Sequence, residues 1–198
     1  MGRDSLLEIR LDTAEAQRIM GSLAEKLAAR GKLEKIIARA QNDALNTAKA
    51  EAKRAIREEY NAPAGEIDKT MSVKKANQRR LQAVLTLKGR MSVELIHYGA
   101  KQSSKGVSVK VLKSSKRSAI RPGGRQNILA TLRRKVSATW IAKGHVLARV
   151  EDNPRPEILW GPSFLTRLSN EDVRLRLETK ARARFENRLQ HYAAQTLK

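Results

Sequence analysis

Leu7, Ile9 and Leu11 alternate with Glu8, Arg10 and Asp12, the period-two pattern of a half-buried strand. Asp12, with Glu15 three residues further on, then has the spacing of a helix N-cap and its reciprocal carboxylate. Beyond it the period lengthens. Ile19, Leu23 and Leu27, and after Gly31 the residues Leu33, Ile37, Ala40, Ala44, Ala48, Ala52 and Ile56, recur at helical spacing. This predicts one long amphipathic helix or two collinear ones. The second half of the stripe is mostly alanine, bordered by Lys49, Glu51 and Lys53, so its apolar face admits close approach of a helix or a sheet.

Pro63 and Gly65 in "NAPAGE" stop the helix, and the pattern turns β-like. Strands are expected over 81–87, 107–112, 138–142, 146–150 and 158–160, several separated by glycine turns as in antiparallel hairpins. The second of these carries Val107, Val109 and Val111 against Ser108 and Lys110. Ser169 and Asp172 are placed to cap a last helix, whose stripe is Val173, Leu177, Ala181, Phe185, Leu189 and Tyr192. The predicted class is α+β: a long N-terminal amphipathic helix, a central, mostly antiparallel sheet, and a C-terminal helix. With 198 residues, enough for one well-buried core, a single domain is expected, with a helical region at 12–60, a β-rich core at 66–162 and the last helix at 169–196.

Charge changes this picture most. The chain carries a formal net charge of +21, and between Ser72 and His145 eighteen Lys and Arg residues meet a single acid, Glu94. A field so concentrated suits a polyanion or an acidic protein surface; the competing reading is a solvated face. The residues expected to make that contact are Lys110, Lys113, Lys116, Arg117, Arg121, Arg125, Arg133 and Arg134. "RPGGRQ" (Arg121–Gln126) is either a turn or a loop offering backbone N–H groups to a phosphate. It has neither the Walker nor the dinucleotide glycine pattern.

Catalytic chemistry has little to work with. The absence of cysteine excludes disulfides, thiolate nucleophiles and cysteine zinc sites. His97, His145 and His191 lie far apart without metal-ligand spacing. Glu151, Asp152 and Glu157 are neighbours, but prolines separate them and no lysine follows at a nuclease spacing. No enzymatic activity, metal or cofactor is expected. The N-terminus lacks the apolar core of an export signal, and no run of about 18 apolar residues occurs, so no membrane span is expected either.

One stretch stands apart in so basic a chain. "NPRPEILWGPSF" (153–164) gathers Ile158, Leu159, Trp160 and Phe164 between Pro154, Pro156 and Pro162. Its two readings are a core strand followed by a turn, and an apolar subunit interface formed by Ile158, Trp160 and Phe164.

"PRPEILWGPS", preceded by "HVLARVE", resembles the closing motif of the bacteriophage minor tail protein Z family, where an Arg-bearing strand leads through a Pro-Ile turn to Gly-Pro-Ser and the last helix. "ALNTAKAEAKRAI" (44–56) is similar to that family's Ala-Leu-Asn helix, "YNAPAGEIDKTMSVKKA" (60–76) to its connection into the sheet, and "LQAVLTLKGRMSVELIHYGA" (81–100) to its central hairpin. These short blocks occur in the family's order across roughly residues 38–190. His97-Tyr98 and Trp140 stand where phenylalanines are expected, and Glu157 interrupts the Pro-Ile pair. The resemblance implies a structural tail protein, found in the virion tail and in the host cytoplasm during assembly, acting in tail completion and head-to-tail joining. It further implies a homo-oligomeric ring, a hexamer among the candidate copy numbers, with other tail and connector proteins as partners and non-specific DNA contact as an option. The alternative from composition alone is a non-specific nucleic-acid-binding protein that uses the 72–145 segment.

Overall fold

The structure, a computed structural model, describes residues 13–29, 32–87, 93–120, 136–150 and 153–197. The predicted strand at Leu7–Leu11, its Asp12 cap, the Arg121–Gln126 loop, Arg133 and Arg134 lie outside the described residues. The fold is α+β, with helices α1 (Thr13–Met20), α2 (Ser22–Ala29), α3 (Leu33–Glu59), α4 (Ala64–Lys69), α5 (Leu165–Leu168) and α6 (Glu171–Leu197). The strands are β1 (Met71–Lys74), β2 (Val84–Leu87), β3 (Lys101–Ser103), β4 (Gly106–Val109), β5 (Ser118–Ala119), β6 (Val136–Ala142), β7 (His145–Val150) and β8 (Glu157–Ile158). They form three small antiparallel sheets, β1-β2, β3-β4-β5 and β6-β7-β8, in place of one central sheet. Two compact units result. One holds α1, α2, residues 33–52 of α3, the β1-β2 pair and α6; the other holds residues 53–59 of α3, α4 and the remaining strands.

In the first unit, the expected single or collinear helix is instead three. Gly21, at φ +49, closes α1 and receives α2: its N–H donates to the Gln17 carbonyl, and its own carbonyl accepts from Ala24. A left-handed residue in mid-stripe ends a helix while leaving the apolar period intact, so spacing alone does not reveal the break. The buried stripe is Ala16, Met20, Ala24 and Leu27, with Ile19 and Leu23 only half-buried. These residues pack with Leu33, Ile36, Ile37, Ala40 and Ala44 of α3 and with Phe185, Leu189, Tyr192 and Ala193 of α6. Ala44, Ala48 and Ala52 are all fully buried, as their spacing predicts.

The α6 stripe from Val173 to Tyr192 is buried as expected, but the cap is neither Ser169 nor Asp172. Asn170 Oδ1 accepts the Asp172 N–H at 3.1 Å, meeting one of the orphan donors of the first turn. β1, only four residues long, has no counterpart among the expected strands. It pairs with β2 from Met71↔Leu87 to Lys74↔Val84. The link between them is tied to α3 by Asn42, which donates to the Ala76 carbonyl at 3.0 Å and accepts the Ala76 N–H at 2.8 Å. Because β2 takes β1 as partner and Leu95–Tyr98 is a 3-10 turn, the central hairpin implied over 81–100 is not formed among the described residues.

In the second unit, "NAPAGE" starts a helix instead of entering a sheet. Pro63, at φ −64, stands at the N-cap of α4, and Gly65 falls inside it. β6 and β7 meet at Lys143-Gly144, both with positive φ (51° and 77°), the signature of a type I′ hairpin turn. The 158–160 strand is short. Past β8, the Leu159 N–H donates to the Val146 carbonyl on one side, and the Leu159 carbonyl accepts from Leu95 on the other. A bridge joins Trp160 to Glu94, and the Gly161 N–H donates to the Val93 carbonyl.

Candidate polyanion interface

Segment 101–120 is built to hold one side inward and leave its cations outside. Val107 and Val109 on β4, Val111 and Ile120 are buried, while Lys101, Lys105, Lys113, Lys116 and Arg117 are exposed and Lys110 is half-buried. Alternation along β4 supplies the inward valines. The β3-β4 turn, Ser104-Lys105, is closed by Gly106 at φ +109, a conformation suited to glycine. A Cβ at Gly106 would also stand 2.8 Å from Thr139 Oγ1, the hydroxyl that accepts the Val107 N–H at 3.1 Å.

Backbone bonds fix the strand end from the opposite edge. Lys110 N–H donates to the Tyr98 carbonyl, Lys113 N–H to the Glu59 carbonyl, and Asn61 N–H to the Val111 carbonyl. Asn61 Nδ2 adds a bond to the Lys110 carbonyl at 3.2 Å. These contacts replace β pairing beyond Val109, which is why β4 ends three residues before Leu112, the end expected from the alternation; Leu112 makes a single bridge to Tyr60. Arg117 Nη1 donates to the Gly99 carbonyl at 2.5 Å and to the Ser108 carbonyl at 3.1 Å. The guanidinium thus staples the sheet to the turn after Tyr98, a role that no sequence spacing announces.

Four of the described acids of this unit are engaged elsewhere. Glu59 pairs with Arg167, Asp68 with Lys53, Glu66 with Lys69, and Glu94 accepts from His145 Nδ1 at 2.6 Å. Lys69 beside Glu66 holds that carboxyl below the usual range, against a smaller opposing effect of burial. None of Lys101, Lys105, Lys110, Lys113, Lys116 and Arg117 forms an ion pair among the described residues. The structure therefore places four predicted contact residues, Lys110, Lys113, Lys116 and Arg117, on one segment, and adds Lys101 on β3 and Lys105 in the β3-β4 turn, a stretch to which the alternation assigns no strand. Arg121, Arg125, Arg133 and Arg134 lie outside the described residues.

The predicted apolar interface needs correction at Phe164. Its side chain is fully buried, with its ring 5.5 Å from that of Tyr60, so it serves the interior of its own chain and offers nothing to a neighbour. Trp160 is half-buried. Ile158 alone of the three is exposed, at 36%, and lies beside Leu147 across the β7-β8 pair. Gly161 explains part of the motif: a Cβ there would stand 2.5 Å from the Tyr98 ring, so Gly-Pro follows the strand because the buried tyrosine fills the space.

Among the described residues, no group of three or more His, Asp or Glu side chains is placed to hold a metal ion, and no helix is long and apolar enough to cross a membrane. Comparison with known protein families, curated proteins and solved structures finds no match to this chain.

Proposed function

We propose that this chain is a non-enzymatic structural component of a bacteriophage tail, acting in tail completion and head-to-tail joining as a subunit of a homo-oligomeric ring. The order of the sequence blocks between residues 38 and 190 motivates the assignment. The observation that carries its physical content is the β3-β4-β5 segment with its connections, where Lys101, Lys105, Lys110, Lys113, Lys116 and Arg117 have no carboxylate partner among the described residues. Cations left unpaired along these strands and their connections keep their charge available for a polyanion, and counterion release then supplies most of the affinity. In a tail that polyanion is DNA, or an acidic surface of a connector or tail-tube subunit. The same segment supports the second reading, a non-specific nucleic-acid-binding protein, and one experiment separates the two.

Lys105, Lys113 and Lys116 are exposed, so changing all three to Gln leaves the core intact. For B-DNA, the slope of log affinity against log salt should flatten by roughly 3 units, at about 0.9 for each phosphate no longer neutralised, with little dependence on base sequence. Tail completion, counted as joined particles in an assembly extract, should fall in the same variant. Loss of DNA binding with normal joining favours the second reading. Normal values in both assays would make the charge a solvated face and end the proposal.

A further inference from the structure

We infer that a cleft in the first unit, at the start of α3 and the end of α6, is a phosphoryl-binding site. The cleft has a volume of about 330 Å³ and is lined by Lys32, Lys35, Arg39, Tyr192, Gln195 and Thr196, among others. Spacings of three and four residues put the three cations on one face of the chain entering and forming α3. All three are exposed, and none meets a carboxylate at ion-pair distance among the described residues. Cations elsewhere on the same helices are treated differently. Arg188 is paired with Asp43, and Arg176 and Lys180 with Glu51. Positive charge is matched at these three positions of the α3-α6 contact and left unmatched at this cleft.

The wall that holds Arg39 is preformed. Tyr192 is 8% exposed and its hydroxyl donates to Asp43 Oδ2 at 2.7 Å, a bond that, with burial, raises the phenol above its ordinary range. The Arg39 guanidinium lies 4.2 Å from the centroid of that ring. A guanidinium held on an aromatic face keeps N–H donors at its edge for an oxyanion, which suits two-point binding of phosphate. Asp43, already bonded to Tyr192 and Arg188, has its charge matched and does not oppose an anion here. Thr196 Oγ1 donates to the Tyr192 carbonyl at 2.8 Å, so the remaining neutral donor in the lining is the exposed Gln195 carboxamide. Three cations exceed what one carboxylate needs and fit a phosphate dianion or two linked phosphoryl groups. The volume is at the lower end of the range of about 300–1,000 Å³ typical of small-ligand sites. The group has two sources, a free phosphorylated small molecule and a nucleic-acid backbone. None of these residues belongs to the β3-β4-β5 segment, so the site stands independently of the proposed function.

The test is calorimetric titration of the full chain with sodium pyrophosphate, against sodium chloride at matched ionic strength. Saturable one-site binding is expected. Lys35→Gln and Arg39→Gln, each with an unchanged circular dichroism spectrum, should weaken it at least about tenfold, the scale of removing one charge-assisted hydrogen bond. The Lys105, Lys113 and Lys116 triple variant should bind pyrophosphate as the parent does. A short DNA duplex that displaces pyrophosphate from the triple variant identifies the backbone as the source, and failure to displace it identifies a free small molecule. No saturable binding, or equal binding in the Lys35 and Arg39 variants, would overturn the inference.

Discussion

Tyr98 shows how a single residue carries both packing and an unsatisfied polar atom. Its side chain is fully buried, its ring fills the space beside Gly161, and its hydroxyl has no hydrogen-bond partner among the described residues. Burial pushes its pKa well above the ordinary phenol value, with Tyr60 adding a smaller push in the same direction. A raised folded-state pKa gives stability that is complete below the unfolded value, about 10, and is lost as pH rises through the folded value. Tyr98→Phe removes an unsatisfied buried polar atom while keeping the ring, so it should be neutral or stabilise by up to about 1–3 kcal/mol at pH 7. It should also weaken the loss of stability above pH 10. Urea unfolding at pH 7 and pH 11 measures both effects, and marked destabilisation at pH 7 would show that the hydroxyl has a partner after all.

At the scale of elements, the contact between α3 and α6 is set by charge as well as by apolar stripes. Glu51, its side chain 5% exposed, forms ion pairs with Lys180 at 2.9 Å and with Arg176 at 3.2 Å. In sequence it reads as one of the charged residues bordering the alanine face; its burial depends on where α6 runs. Asp43, Arg188 and Tyr192 make a second polar cluster two turns earlier on α3. Glu51→Ala removes the carboxylate that Arg176 and Lys180 share. Because Arg176 and Lys180 are 35% and 44% exposed, water re-solvates them. The expected cost is therefore about 1–2 kcal/mol, below the 3–5 kcal/mol of a fully enclosed pair. A shift in the denaturation midpoint at unchanged slope would register it, and no shift would mean the pair contributes nothing.

Over the whole molecule, 41 Lys and Arg against 20 Asp and Glu make self-repulsion the dominant long-range term. Raising salt from 10 to 150 mM shortens the screening length from about 30 to about 8 Å. The melting temperature should then rise by about 2–4 °C, the equivalent of roughly 1 kcal/mol in a chain of this size. The Lys105, Lys113 and Lys116 triple Gln variant should show a smaller rise. A melting temperature that falls with salt would mean that the ion pairs of α3, α4 and α6 outweigh the repulsion.

The apolar periods by themselves determined the α+β class, the alanine face of α3, the α6 stripe and the inward valines of β4, since burial on one face follows directly from a period of 3.6 or 2. Composition determined that the 72–145 segment would be strongly cationic. Tertiary structure alone decided the rest. A left-handed glycine broke the first helix without disturbing its period, and β1 took the place beside β2 that the second half of the 81–100 hairpin was expected to fill. Phe164 went inward because Tyr60 lies beside it, and Arg117 became a staple because Gly99 and Ser108 present their carbonyls to it. Lys32, Lys35 and Arg39 became a cleft only when α6 brought Tyr192 beneath Arg39. Each of these depends on a contact between residues distant in sequence or on one backbone angle, and neither leaves a trace in the period of apolar residues.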